Sequence, residues 1–265
     1  MGYSREVYAN APLVFVACEI RFPLVPSLTT DDTLDCLVED FFDLLPIPAT
    51  TIVEWGDEDS DDGDHAQRVL RFSNRDRTSS AVLTRTSLSI ETTTYREWPD
   101  FRSQVMSAVD VVAGNAKVAG VERLGLRYID EIRVPEPIVD ATMWRKWIAE
   151  DVLSHLSVVP DMAPAGFTSA TVLHNGSHHM LVRYAAMNGP GVVADKPLRR
   201  STVPPEGPFF VIDVDSYRDT SGVDMIDFSA ESIASVLDDL HEPIGMLFQR
   251  SITDRARELF RKEPE

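Results

Sequence analysis

Two stretches of this sequence repeat each other. The run Val16-Ala17-Cys18-Glu19-Ile20-Arg21-Phe22-Pro23 returns as Tyr128-Ile129-Asp130-Glu131-Ile132-Arg133-Val134-Pro135, 112 positions on. The run Ile90-Glu91-Thr92-Thr93-Thr94-Tyr95-Arg96 returns as Ile212-Asp213-Val214-Asp215-Ser216-Tyr217-Arg218, 122 positions on. An internal repeat narrows the fold sharply, because both copies must form the same supersecondary unit and share a core. The wider second spacing places a modest insertion in the second half. The chain therefore divides near Gly120 into residues 1–120 and 121–265, two repeats of one integrated unit.

Each half predicts the order β-α-β-β-β-α. Leu13 to Phe22 alternates, with Val14, Val16, Cys18, Ile20 and Phe22 on one face. Thr30 or Asp31 caps a helix with Leu34, Leu37, Val38, Phe41, Phe42 and Leu45 at helical spacing, and Pro46 and Pro48 stop it. Strands are expected near residues 51–55, 68–72 and 81–95, after which Trp98-Pro99-Asp100 opens a second helix. In the second half residues 124–134 form the first strand, and Asp140 caps a helix bearing Trp144, Trp147, Ile148, Val152 and Leu156 as core residues. Residues 167–174 and 178–187 predict a hairpin about Asn175-Gly176. Residues 209–217 are the last strand, and Ser229 starts a long helix that Pro243 should kink. Residues 245–260 have no counterpart in the first half; they either cover the second half's sheet or dock a partner. The expected fold class is α+β: two pseudo-symmetric β-α-β-β-β-α repeats in one mostly antiparallel, curved sheet with helices packed on one face.

Hydrophobic content of 43% and charged content of 26% are those of a soluble globular chain. Cys18 and Cys36 have neither metal-ligand nor redox spacing, which fits a reducing, cytoplasmic compartment. The polar start shows no signal peptide, and no apolar run reaches the roughly 20 residues a bilayer span needs. A net charge of −18 argues against binding nucleic acid or anionic lipid, both of which need Lys and Arg. It serves solubility or attracts a basic protein. The acidic run Asp57–Asp64 reads as a solvated loop, since its glycine is out of register for an EF-hand. The insertion over residues 188–208 is expected to be disordered and holds a compact basic cluster, Lys196, Arg199 and Arg200.

The blocks Ala11-Pro12-Leu13-Val14 with Glu19-Ile20-Arg21-Phe22, Arg123-Leu124-Gly125-Leu126-Arg127-Tyr128-Ile129-Asp130-Glu131-Ile132, and Leu240-His241 with Ile252-Thr253-Asp254 carry a resemblance. Together they resemble a sporadically distributed bacterial family of uncharacterised proteins of about this length. The resemblance covers nearly the whole chain and implies a full-length bacterial unit. It transfers no catalytic residue.

Strand parity gathers polar residues on the sheet face away from the helices. Glu19 and Arg21 lie opposite the apolar set of the first strand, and Glu131 and Arg133 share a face with Arg127. Glu91 and Tyr95 lie on the polar side of the strand over residues 81–95, together with Arg85, Ser87, Ser89 and Thr93. Asp213, Asp215 and Tyr217 follow in the second half, with His179 and Arg183 on the hairpin. This is either a solvated face laced with ion pairs or, near a pseudo-twofold axis, a cleft for a ligand or partner. Asp213 and Asp215 have the i, i+2 spacing of a weak Mg²⁺ site; no other cofactor is implied. His174, His178 and His179 flank a turn and fit a histidine-rich hairpin tip better than zinc. No nucleophile elbow accompanies the Ser, His and Asp residues. The function expected is binding rather than catalysis: a regulatory or interaction partner of a basic protein, with a homo-oligomer as a further option. The alternative is a metal-dependent enzyme or binder acting on a phosphorylated or carboxylated small molecule at the polar sheet face.

Overall fold

A computed structural model describes residues 6–54, 66–157, 162–192, 197–220 and 224–262. The strands are β1 (Leu13–Arg21), β2 (Ile47–Glu54), β3 (Ala66–Ser73), β4 (Ser79–Leu83), β5 (Ser87–Thr92), β6 (Arg123–Ile132), β7 (Phe167–Asn175), β8 (His178–Gly189) and β9 (Gly207–Asp219). The helices are α1 (Asp31–Asp40), α2 (Trp98–Asn115), α3 (Glu150–Leu153), α4 (Ala230–Ser251) and α5 (Asp254–Arg261). The protein is α+β. Its nine described strands form one sheet in the order β2-β3-β4-β5-β1-β6-β9-β8-β7, every pairing antiparallel. The first strands of the two halves, β1 and β6, lie side by side at the centre. Outward from β1 run β5, β4 and β3; outward from β6 run β9, β8 and β7. Strand β2 extends the first half alone.

Alternation decides which face is buried. Val16, Cys18 and Ile20 of β1, Leu124 and Leu126 of β6, and Ile212 and Val214 of β9 are buried in one core with α2 and α4. Each such side chain contributes roughly 1.5–3 kcal/mol by leaving water. Helix α2 begins with Pro99 in its first turn and buries Phe101, Val105, Ala108, Val109 and Val112. Helix α4 begins where the Ser229 hydroxyl accepts from the Ser232 N–H, and it buries Ile233, Val236, Leu237, Leu240 and Ile244. It continues through Pro243 to Ser251 as one element, although proline cannot donate to the carbonyl one turn back. Among the described residues no helix is long and apolar enough to cross a membrane.

Several expectations are corrected. Residues 81–95 are not one strand: Thr84 N–H donates to the Ser87 carbonyl, and the chain reverses between β4 and β5. Among the described residues the first half thus has five strands and the second four. A register shift between Leu13 and Phe15 changes the parity of β1, so Val14 packs on the opposite face with Ile129, Ala185, Phe209 and Val211. Phe42 is 59% exposed, because α1 ends at Asp40 and the helical periodicity lapses. The Asp140 side chain caps as expected, but only a 3-10 turn over Ala141–Lys146, followed by the single turn of α3. There Ala149 N–H donates to the Ser251 carbonyl and Thr253 N–H to that of Trp147, so pairing with the end of α4 displaces helical bonding. Trp144 and Trp147 are buried in the core, as their spacing indicated.

The hairpin turn is Gly176-Ser177, one residue later than expected. Asn175 pairs with His178, and Gly176 takes φ +60°, the left-handed conformation a type II′ turn needs at its first central position. The described part of the insertion is packed rather than disordered: Leu198 is buried, and Thr93 Oγ1 donates to the Arg199 carbonyl. Lys196 and the acidic run 57–64 lie outside the described residues. The segment after Gly245 packs on the chain's own N-terminal strap, residues 6–12. Tyr8 meets Phe248 and Phe260 edge-on, Asn10 N–H donates to the Phe260 carbonyl, and Arg261 pairs with Glu6.

Candidate functional sites on the two sheet faces

The polar face is a closed ledger of opposite charges. Arg123 Nη1 donates to Glu19 at 2.8 Å and its Nη2 to Asp215 at 2.8 Å, bridging β1 and β9 across β6. Gly125 makes room for this: a Cβ there would stand 2.7 Å from Arg123 Nη1. Arg123 also lies 4.3 Å above the Tyr217 ring, and His179 stacks on that ring. Arg127 grips Asp213 through two bonds of 2.8 and 2.7 Å, and Arg183 adds a third at 3.2 Å. Arg21 folds back on Glu19, and Arg71 holds Glu91 together with Ser80. Burial pushes the Asp215 carboxyl above its ordinary value despite the opposing pull of Arg123, and the bonds to Asp213 raise Arg127. Asp213 and Asp215 are thus both engaged by guanidinium groups. Among the described residues no group of three or more His, Cys, Asp or Glu is placed to hold a metal.

The repeated Glu-Ile-Arg runs do not converge. Glu19 stands opposite Gly125, whereas Glu131 lies six residues further along β6, about 20 Å away at strand spacing. Glu131 serves a separate cluster. Its carboxylate, 1% exposed, accepts from Arg133, Arg200 and the Val192 N–H, each at 2.7 Å, and so pins the insertion to the sheet. Tyr95 is also misplaced by the one-strand reading. It lies beyond the end of β5 and turns to the helix face, where it meets Tyr128 and Phe101.

That helix face holds a site absent from the sequence expectations. A cavity of about 380 Å³ is bounded by the strap (Glu6 to Ala9, Ala11 and Pro12), Leu13, Tyr95, Arg96, Glu97, Tyr128, Asp130, and the α4 residues His241, Ile244, Gly245, Phe248 and Gln249. Tyr128 Oη accepts from or donates to His241 Nδ1 at 3.2 Å and lies 3.3 Å from Tyr95 Oη. The His241 ring stacks at 4.2 Å on Trp98, whose indole N–H donates to Asp238. Asp130 points from β6 into this space with Tyr128. It is 6% exposed and has no hydrogen-bond or ion-pair partner among the described residues. Burial pushes its carboxyl up to about 8. Burial likewise raises the Tyr8 phenol on the strap, against the bond from its hydroxyl to Gln249.

Two signals in the sequence mark this site. Asp130 shares the parity of Leu124, Leu126, Tyr128 and Ile132, an acid in a core row. His241 stands four residues after Leu237 on the apolar stripe of α4.

The chain matches no protein-family model, and no curated protein matches it.

Proposed function

We propose that this protein binds a small molecule in the cavity between the N-terminal strap, β6 and α4. The observation that carries the reading is Asp130: a carboxyl buried without a partner is costly, and it faces a space of ligand size beside Tyr128, Tyr95 and His241. Perturbed ionisable groups in a cleft are a mark of functional sites. The polar face supports such a role less, because its arginines are already engaged by internal carboxylates. An anionic ligand there would have to displace Asp213, Asp215 or Glu19. The same reading takes the chain as a doubled unit. It is supported by the pairings of Val16 with Thr92 and Tyr128 and of Tyr128 with Val214, positions separated by the offsets of the two repeated runs.

The test is to fill the cavity. Gly245 lines it from within α4, and Gly245→Leu is expected to add a side chain on that wall while removing a helix-interior glycine, a change worth about 0.5–1 kcal/mol in favour of the helix. A ligand-observed NMR screen with small fragments is expected to give hits on the wild type that vanish in the stable variant. Hits that persist unchanged would refute the site.

A second reading, a basic protein partner, rests on α1. Asp32, Asp35 and Glu39 are exposed at helical spacing, with Asp43 and the exposed Phe42 just beyond, and α1 has no basic residue in its last turn. Like charges so spaced repel by a few tenths of a kcal/mol per pair, which a cationic partner would relieve. Co-purification of a stoichiometric basic protein should be lost in Asp32→Asn/Asp35→Asn/Glu39→Gln. A complex that survives this triple change does not use α1.

A further inference from the structure

Resting on the cavity reading above, we infer that the ligand is a small organic amine whose ammonium group pairs with Asp130 and whose alkyl or aryl body lies along the strap and α4. Three observations converge on a cation. First, Asp130 is more than nine-tenths buried, lines the cavity and has no partner among the described residues, so the missing counter-charge is one the ligand can bring. Secondly, four of the lining residues are aromatic, Tyr8, Tyr95, Tyr128 and Phe248, and an aromatic ring attracts a cation over its face. Thirdly, the chain's net charge of −18 draws cations toward the molecule and disfavours anionic ligands. The apolar residues Leu13 and Ile244 offer a wall against which a hydrocarbon body can lie.

The charged and titratable groups around Asp130 are few. The strap brings Glu6, already paired with Arg261, and Tyr8; the segment before α2 brings Tyr95, Arg96 and Glu97; β6 brings Tyr128 and α4 brings His241. At neutral pH the free carboxyl holds its proton. When an ammonium ion arrives, that proton passes to solvent and the carboxylate and ammonium form a neutral pair, so binding releases up to one proton per site.

Calorimetric titration of the full chain with 2-phenylethylamine, 2-phenylethanol and 3-phenylpropionate, in two buffers of different ionisation enthalpy at pH 7, tests this. The amine is expected to bind at least about thirtyfold more tightly than the alcohol, the carboxylate not at all, with proton release seen only for the amine. Asp130→Asn, which keeps the side-chain shape, should bring the amine down to the level of the alcohol. If the alcohol binds as well as the amine, or the amine binds Asp130→Asn undiminished, the amine inference fails while the cavity reading stands. If none of the three binds, and none changes the emission of Trp98 beside the cavity, both fail.

Discussion

Asp130→Asn is expected to stabilise the protein at pH 8 and to leave it nearly unchanged at pH 4. In the folded chain the Asp130 carboxyl titrates at about 8, whereas an unfolded aspartate titrates near 3.8. Between those values the folded state holds a proton that the unfolded state has released. Stability therefore falls as pH rises through this window, by up to about 1.4 kcal/mol per unit, and levels off above the folded value. The integrated loss is on the order of 5 kcal/mol, an upper bound because local opening admits water. Asparagine has the same shape and no proton to lose. Other groups also bend the wild-type curve, Asp215 among them, since burial raises it as well. The difference between variant and wild type isolates Asp130. Urea unfolding of both proteins from pH 4 to pH 8.5 gives that difference directly. A gap that stays flat with pH would mean that Asp130 ionises in the fold as freely as in the unfolded chain.

Glu131→Ala is expected to cost about 3–5 kcal/mol, the range for stripping one partner from a buried ion pair. The loss leaves Arg133 and Arg200 without their carboxylate and the Val192 N–H without an acceptor. Limited proteolysis should then cut near residues 189–206, where the insertion has lost its anchor. Glu131→Gln keeps an acceptor oxygen and should recover part of the loss. On the exposed side of the same sheet, Arg21→Ala should cost under about 0.5 kcal/mol, as solvated pairs do. A loss below about 1 kcal/mol in Glu131→Ala would show that the insertion is held by its apolar contacts, such as Leu198, and not by this carboxylate.

Much of the fold could be read from spacing. Strand alternation placed Val16, Cys18 and Ile20 inward, Pro99 marked the start of α2, and Ser229 marked the start of α4. What failed did so where long-range geometry overrides local pattern. The bulge near Leu13 moved Val14 to the other face, and the reversal at Thr84–Ser87 lies among serines and threonines with no glycine or proline to announce it. The helix expected after Asp140 was broken by backbone pairing with residues more than a hundred positions later. On the polar face, the sequence indicated the residue types and the side, but not that each carboxylate would already have its arginine. The cavity carries a fainter mark in the sequence: Asp130, on the opposite face of β6 from Glu131, aligns with Cys18, so the repeated run holds no acid at that position.

Strand β7 closes the described sheet without an aspartate, glutamate, lysine or arginine, and Val172 and Leu173 are exposed at 59% and 48%. Such a margin, free of lysine, proline or bulge, is an open template on which a second molecule can stack its own backbone. Colloidal repulsion between identical, strongly anionic molecules acts against that encounter at neutral pH and weakens as the solution approaches the isoelectric value of 4.7. The surplus of acid, spread over the remainder of the molecule, thus does for this margin what a gatekeeping lysine does elsewhere.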